Sequence, residues 1–388
     1  MRLTANEVGP LNGLGGSNPL VSALFIDCAL PDHYVTYMAV VKTPISHTIT
    51  GHKALREALR DTHTYSSDLQ GDADVRDYRQ IPLEVDPPKH HSYRTALAPF
   101  FVKPYVEKFL ENFRENSEQL IDRFFSNNDA EVGADLSLPL VMANIGSFYG
   151  RPQDVDEWVS WGPDVWLATG EKRDGAVLHA YLDRVYEEAL TSSNNDIWNE
   201  LAHLEVDGAV ISPQEFRGIA GIMLAGGRDT VVKLLTGMIW YFGNHQEDLR
   251  WLKSEPDAIP RAIDEFLRFF TPNTAMARTT TPETGATELP EDRYVSMNFF
   301  SGNFDETIFP NPGEINLRRE RNPHLSFGFG PHTCIGNHLA ECEARVFIEA
   351  LISSGITWEL LPTSEIKFYE GKLSGVPAEF HILRVRAL

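Results

Sequence analysis

Apolar residues recur at helical spacing through most of the chain between about residue 100 and residue 270, which predicts a helix-rich centre. Before it, residues 30–50 contain the run His33-Tyr-Val-Thr-Tyr-Met-Ala-Val-Val41, whose β-branched and aromatic residues predict strand. After residue 275, clusters of Pro and Gly predict loops and turns, with one amphipathic helix expected at 337–353 and short strands over 355–388. No repeat, low-complexity tract or convincing linker interrupts the pattern.

One expected helix stands apart. Ser212-Pro213-Gln214-Glu215 combines a capping serine, a proline at the first helical position and a glutamate three residues on. The apolar pattern then continues to Tyr241-Phe242 and stops at Gly243-Asn244. That predicts one helix of ~30 residues, ~45 Å long at 1.5 Å per residue. It is apolar nearly all round, as a helix through the middle of a protein must be. Yet it holds Gly218, Gly221, Gly226 and Gly227, each costing about 1 kcal/mol relative to alanine. Close helix packing would explain them. So would a large body lying against the helix at Gly226-Gly227.

Composition narrows the function. The formal net charge of −21 makes nucleic acid and anionic membrane surfaces poor partners. Cys28, Cys334 and Cys342 form no disulfide framework and suit a reducing cytoplasm. The N-terminus shows no apolar run of signal or anchor length, so a cytoplasmic protein is expected. A length of 388 residues would allow two domains as well as one large one.

The chemistry gathers around Phe327-Gly-Phe-Gly-Pro-His-Thr-Cys334-Ile-Gly336. A cysteine here sits in a glycine-rich loop just before an expected helix, where backbone N–H groups and the helix N-terminus favour a thiolate. A lone cysteine is more often a small buried hydrophobe. Zinc would want further Cys or His ligands at short spacing, and no CxxC exists. The segment resembles the cysteine-ligand loop of cytochromes P450, Phe-x-x-Gly-x-x-x-Cys-x-Gly, through Phe327, Gly330, Cys334 and Gly336. Three further motifs stand in the family's order. Asp86-Pro-Pro-Lys-His90-His-Ser-Tyr-Arg94 matches Asp-Pro-Pro-x-His-x-x-x-Arg, Gly226-Gly-Arg-Asp229-Thr230 matches Gly-x-Asp/Glu-Thr, and Glu265-Phe-Leu-Arg268 matches Glu-x-x-Arg. Each alone is weak, since Glu and Arg at i, i+3 are usually a surface pair.

The resemblance covers essentially the whole chain. It implies a single P450 domain over 1–388, mainly α with small β-sheets, of the bacterial soluble type. It implies haem b and O2, with Cys334 as the iron ligand. His90, Arg94, Arg278 and His332 would bind haem propionates, and Phe327 and Gly226 would touch the haem. Thr230 would donate to dioxygen and Asp229 would relay protons, while Glu265 and Arg268 would organise the segment below the haem. The implied activity is a monooxygenase fed by a separate ferredoxin and an NAD(P)H-dependent ferredoxin reductase. Arg94, Lys103, Lys108 and Arg345 are expected to form the docking patch.

Gly226-Gly-Arg-Asp-Thr-Val-Val232 and Tyr78-Arg-Gln-Ile-Pro82 resemble the camphor-hydroxylating branch, which makes Tyr78 a candidate substrate donor. Leu69, Ile222, Ala225, Asn273 and Leu373 are expected to line the pocket by position, and a small, mainly apolar, terpenoid-like substrate is favoured. Lys172 or Arg173 is a candidate partner for Asp229. A P450 acting biosynthetically or on aromatics or fatty acids, or a haem-binding protein without turnover, remains open. The Asp229-Thr230 pair argues against a peroxide-using enzyme.

Overall fold

A computed structural model describes residues 47–68, 78–127, 130–161, 176–193, 196–280 and 293–388. Leu69, Lys172 and Arg173, and most of the strand expected at 30–50, lie outside these residues. Of that strand the described part is β1, His47–Ile49.

Helices dominate. Those that position the site are α1 (His52–Ala58), α2 (Lys89–Phe101), α3 (Leu110–Phe125), α4 (Leu138–Tyr149), α5 (Ala176–Thr191), α6 (Pro213–Gly226), α7 (Asp229–Asn244), α8 (Ile259–Phe270) and α9 (Asn337–Ser354). Strand β2 (Ala275–Thr280) pairs antiparallel with β3 (Arg293–Asn298), and β1 lies parallel on the other edge of β3, His47 against Val295. Near the C-terminus, β4 (Glu365–Phe368) and β5 (Pro377–Ile382) form an antiparallel pair with Lys367 opposite Glu379. The helix expected at 337–353 and the short terminal strands are thus present. One large apolar cluster spans the helices, and a smaller one packs α1 against the three-stranded sheet. Among the described residues no helix is long and apolar enough to cross a membrane.

The single long helix expected from 213 to 242 is two. The capping box at Ser212 is formed, with Ser212 Oγ accepting from Glu215 N and Glu215 accepting from Ser212 N. The helix then ends at Gly226 and restarts at Asp229, with Arg228 at φ −81 and ψ −76. The apolar pattern could not reveal this, because both halves bury their faces in the same cluster.

The glycines divide by cause. A Cβ on Gly218 would lie 2.1 Å from the Arg79 carbonyl oxygen, and one on Gly237 would lie 2.6 Å from Phe270. Those positions need glycine for packing. A Cβ on Gly226 would meet nothing nearer than Ile222 at 3.7 Å, and one on Gly227 nothing nearer than Ile145 at 3.6 Å. Among the described residues, no protein atom is therefore the body expected against Gly226-Gly227.

Candidate active site

Cys334 is set by its loop. Its N–H donates to the Phe327 carbonyl at 2.8 Å, closing a tight turn. Gly328 and Gly330 inside it adopt φ +69 and +76, a region that L side chains rarely enter. Gly330 has a second constraint, since a Cβ there would sit 2.7 Å from the Leu59 carbonyl oxygen. Helix α9 begins three residues after the cysteine. The Cys334 side chain is reachable by solvent at the surface of a hollow, yet it lies deep in the fold. Burial pushes its thiol up, while the Gly336 N–H and the Arg94 guanidinium pull it down. A coordinated metal cation overrides such a rise, because a ligating thiol loses its proton outright.

Beneath the loop lies a buried knot. Glu265 and Arg268, one helical turn apart on α8, are both fully buried. Arg268 Nε and Nη2 donate to the two Glu265 oxygens at 2.9 and 2.8 Å. The remaining Arg268 hydrogens go to the carbonyls of Asn303, Pro312 and Glu314. Glu265 also accepts from Asn316 N, Arg319 Nε and Asn322 Nδ2 at 2.8, 2.9 and 2.9 Å. Sequence reading found the pair but missed Arg319 and Asn322. Within Arg318-Arg-Glu-Arg-Asn322 they look like an ordinary solvated run, and nothing in the run signals a partner more than fifty residues upstream.

Four basic side chains gather near Cys334. His90 and Arg94 project from one face of α2, Arg278 from β2 and His332 from the cysteine loop. The His90 and His332 rings stack at 4.0 Å. His332 Nε2 shares a hydrogen bond with Ser67 Oγ at 3.1 Å, while His90 Nε2 is buried without a partner among the described residues. Arg278, 5% exposed, donates to the Ala277 carbonyl at 2.7 Å. Burial and the surrounding positive charge push His332 down to about 2 and His90 down to about 4. Burial pushes Arg278 down to about 10, with Asp86 partly opposing. Asp86 itself is engaged by Ser66 Oγ and by Ser67 N at 2.8 Å. The cluster is short of negative charge. A ligand bearing carboxylates would supply it through charge-assisted hydrogen bonds.

The break between α6 and α7 places the acid–alcohol pair. Thr230 Oγ1 donates to the Gly226 carbonyl at 3.2 Å. Asp229 pairs with its neighbour Arg228; burial pushes the Asp229 carboxyl up and Arg228 pulls it back. The arginine that pairs with Asp229 among the described residues is thus its own neighbour. Around this break, Ile222 is partly buried and Ala225 is buried, and Tyr78 packs one turn earlier, its hydroxyl 3.3 Å from where a Gly221 Cβ would be. Tyr78 also meets His179 edge-on at 5.1 Å. Asn273 follows α8, and Leu373 lies between β4 and β5; both are partly buried. Phe327 packs on the main core.

In the expected docking patch, Lys103 and Arg345 lie 3.9 Å from Glu107 and Glu349, Arg94 is half-buried and Lys108 sits over the Tyr105 ring. A second surface with an excess of basic groups is a groove of about 840 Å³ between α1 and the segment 307–323, lined by Arg56, Arg60, Arg319 and Arg321 but also by Glu57, Glu314 and Glu320. Arg56 and Arg60 sit over the ring of Phe329, a residue of the cysteine loop, at 4.1 and 4.6 Å.

This geometry agrees with known proteins. The family model described as Cytochrome P450 matches residues 258–379, which hold the α8 knot and the cysteine loop. The probable cytochrome P450 127A1 of Sinorhizobium fredii is 30% identical over 303 residues, 76% of this chain and 73% of that one. The chain belongs to the cytochrome P450 family. A steroid C26-monooxygenase of Mycolicibacterium smegmatis is 28% identical over 78% of this P450 and 79% of its own length. Among solved structures, a carbohydrate active P450 superposes with a TM-score of 0.78 at 29% identity, covering 88% of this chain and 91% of that one. The protein is therefore a P450 monooxygenase with the P450 fold, and its cofactor and co-substrate are haem b and O2. The residues fit that cofactor: the basic cluster is short of the charge that two propionates carry, and Gly226 leaves the helix face open.

Proposed function

We propose that this P450 uses Cys334 as the iron ligand and holds the haem propionates with His90, Arg94, Arg278 and His332. The observation that carries this reading is the crowding of four basic groups beside Cys334, with Asp86 as their acidic neighbour. Haem b supplies the iron at which dioxygen is activated and one oxygen atom is delivered to the substrate. Thr230 holds a proton-donating hydroxyl at the α6–α7 break, and Asp229, partly buried and paired with Arg228, exchanges protons with it. Glu265 and Arg268 fix the backbone beneath the cysteine loop.

The substrate we propose is small and mainly apolar, of terpenoid size and character. Ile222, Ala225 and Leu373 support this, with Tyr78 and Asn273 as polar contacts and Leu69 placed by sequence position. So does the likeness of Gly226–Val232 to the camphor-hydroxylating branch. Relatives named for steroid and carbohydrate chemistry show that the shared fold accepts dissimilar substrates. Electrons come, in this reading, from a cytoplasmic ferredoxin and its NAD(P)H-dependent reductase. The Arg56–Arg60–Arg321 groove beside Phe329 suits an acidic donor better than the surface around Lys103 does.

The test is spectral. The reduced protein with carbon monoxide is expected to show the red-shifted Soret band of thiolate ligation, and Cys334→Ala to lack it. An unshifted band in the wild type would remove Cys334 from its role. A low-to-high-spin screen of terpenoids, aromatics and fatty acids tests the substrate class. A response confined to the latter two would overturn the terpenoid reading.

A further inference from the structure

Lys233 is an interior cation that the reading above does not use. It lies on α7 three residues after Thr230, so the two side chains share a face of the helix. Further along that face, Gly237 is packed so tightly on Phe270 that a Cβ would approach it to 2.6 Å. One turn on, Trp240 meets Phe270, Phe380 and Phe368 at 6.3, 6.1 and 6.5 Å. The face that bears Thr230 and Lys233 therefore runs toward the end of α8, which Asn273 follows, and the β4–β5 pair, between whose strands Leu373 lies.

The surroundings of Lys233 hold too little negative charge. Its acidic neighbour is Glu379 on β5, itself 3% exposed. That carboxylate is paired through Oε1 with Lys367 Nζ at 3.0 Å, while Oε2, 3.3 Å from His381 Nε2, makes no hydrogen bond among the described residues. No hydrogen bond or ion pair within 4 Å engages the Lys233 ammonium among the described residues. Burial pushes it down to about 8, with Glu379 opposing, so near neutral pH it still carries its proton. A partly buried ammonium without an acceptor is unfavourable, and a structural lysine would be expected to reach a carboxylate or backbone oxygens. Here the partly accessible Lys233 side chain is the second lysine, after Lys367, around the single carboxylate of Glu379.

We propose that Lys233 is a specificity-determining residue of the substrate pocket, and that the substrate carries a carboxylate bound by its ammonium. The inference rests on the haem-thiolate reading and deepens it: the substrate is a mainly apolar acid, not a neutral hydrocarbon-like molecule. Its apolar body lies along Ile222, Ala225 and Leu373. Its charged end is anchored a helical turn beyond Thr230, which fixes how far from the carboxylate oxidation occurs. A lysine suits the task because its compact charge sits on a flexible stem with three donors.

The experiment uses the haem-loaded protein and 1-imidazolyl alkanoic acids of graded chain length, each compared with its methyl ester. The imidazole coordinates iron and shifts the Soret band, so affinity is read without knowing the natural substrate. At one or more chain lengths the acid is expected to bind about tenfold or more tighter than the ester, as a charge-assisted hydrogen bond implies. Lys233→Met is expected to abolish that preference while ester affinity holds, and Lys233→Arg to keep part of it. Equal binding of acid and ester at every length in the wild type overturns the proposal, whether or not Lys233→Met folds. So does an unchanged preference in a folded Lys233→Met, or binding by no member of the series. A normal carbon monoxide band alongside any of these leaves the haem-thiolate reading standing, and only its absence removes that reading as well.

Discussion

The two sides of the site are built on opposite plans. On the cysteine side, most polar groups of the Glu265–Arg268 knot and of the cysteine loop are engaged by the protein itself. Glu265 accepts from four residues, Arg268 reaches three carbonyls besides, and the cysteine loop closes on its own backbone. On the helix side, the backbone ladder is interrupted between Gly226 and Asp229, and Thr230, Asp229 and Lys233 carry polar groups with few protein partners. A buried, fully engaged network holds geometry, and an under-engaged one leaves bonding capacity for ligands and protons. In the function proposed above, the first plan would hold the Cys334 sulfur still, and the second would leave room for substrate and protons.

That contrast can be broken by experiment. The largest effect is expected at the knot. Arg268→Ala leaves Glu265 buried with part of its network gone, at a cost of about 3–5 kcal/mol. Denaturant unfolding and haem content should both fall, and retention of wild-type stability would show that the knot is not the anchor.

Glu343 gives a titratable version of the same test. It lies nine residues after Cys334 on α9, 2% exposed, and burial pushes it from 4.5 up to about 8 with Asn144 partly opposing. The folded state therefore keeps a proton that the unfolded state releases. Its contribution to stability is complete below pH 4.5 and is lost as pH rises toward 8, on the order of a few kcal/mol. Unfolding measured from pH 5 to 8 should show that slope, and Glu343→Gln should flatten it.

Gly218→Ala tests packing on the substrate side. The Arg79 carbonyl 2.1 Å from the new Cβ must move, at a cost of about 1–3 kcal/mol. Ligand affinity should change with stability, because the displaced carbonyl adjoins Tyr78. The smallest effect on stability is expected from Thr230→Ala and Asp229→Asn, within about 1 kcal/mol. Their product yield per NADH with a supplied redox partner should nonetheless fall several-fold. Unchanged yield would remove both residues from proton delivery.

What the sequence disclosed follows the same division. Cys334, Gly328 and Gly330 were legible because a turn at positive φ demands particular residues in consecutive positions. Glu265 and Arg268 were legible as a pair one turn apart, but Arg319 was not, since the chain returns to it only in three dimensions. The break at Gly227-Arg228 was misread as continuous helix, because the apolar period resumes after it almost in phase. Lys233 gave no signal, as a single lysine in an apolar helix reads like an ordinary solvated position. The basic groove was missed for a related reason: Arg56 and Arg60 are far in sequence from Arg318 and Arg321.

The close approach at Gly218 has a mechanical meaning. The Ile81 N–H donates to the Gly218 carbonyl at 3.3 Å while the Arg79 carbonyl fills the space a side chain would need. Residues 79–81 are thereby riveted to α6, about 13 Å along the helix from Gly227 at 1.5 Å per residue. A shift of the segment beside Tyr78 therefore strains the contact at Gly218, on the same helix whose last carbonyl, that of Gly226, accepts the Thr230 hydroxyl.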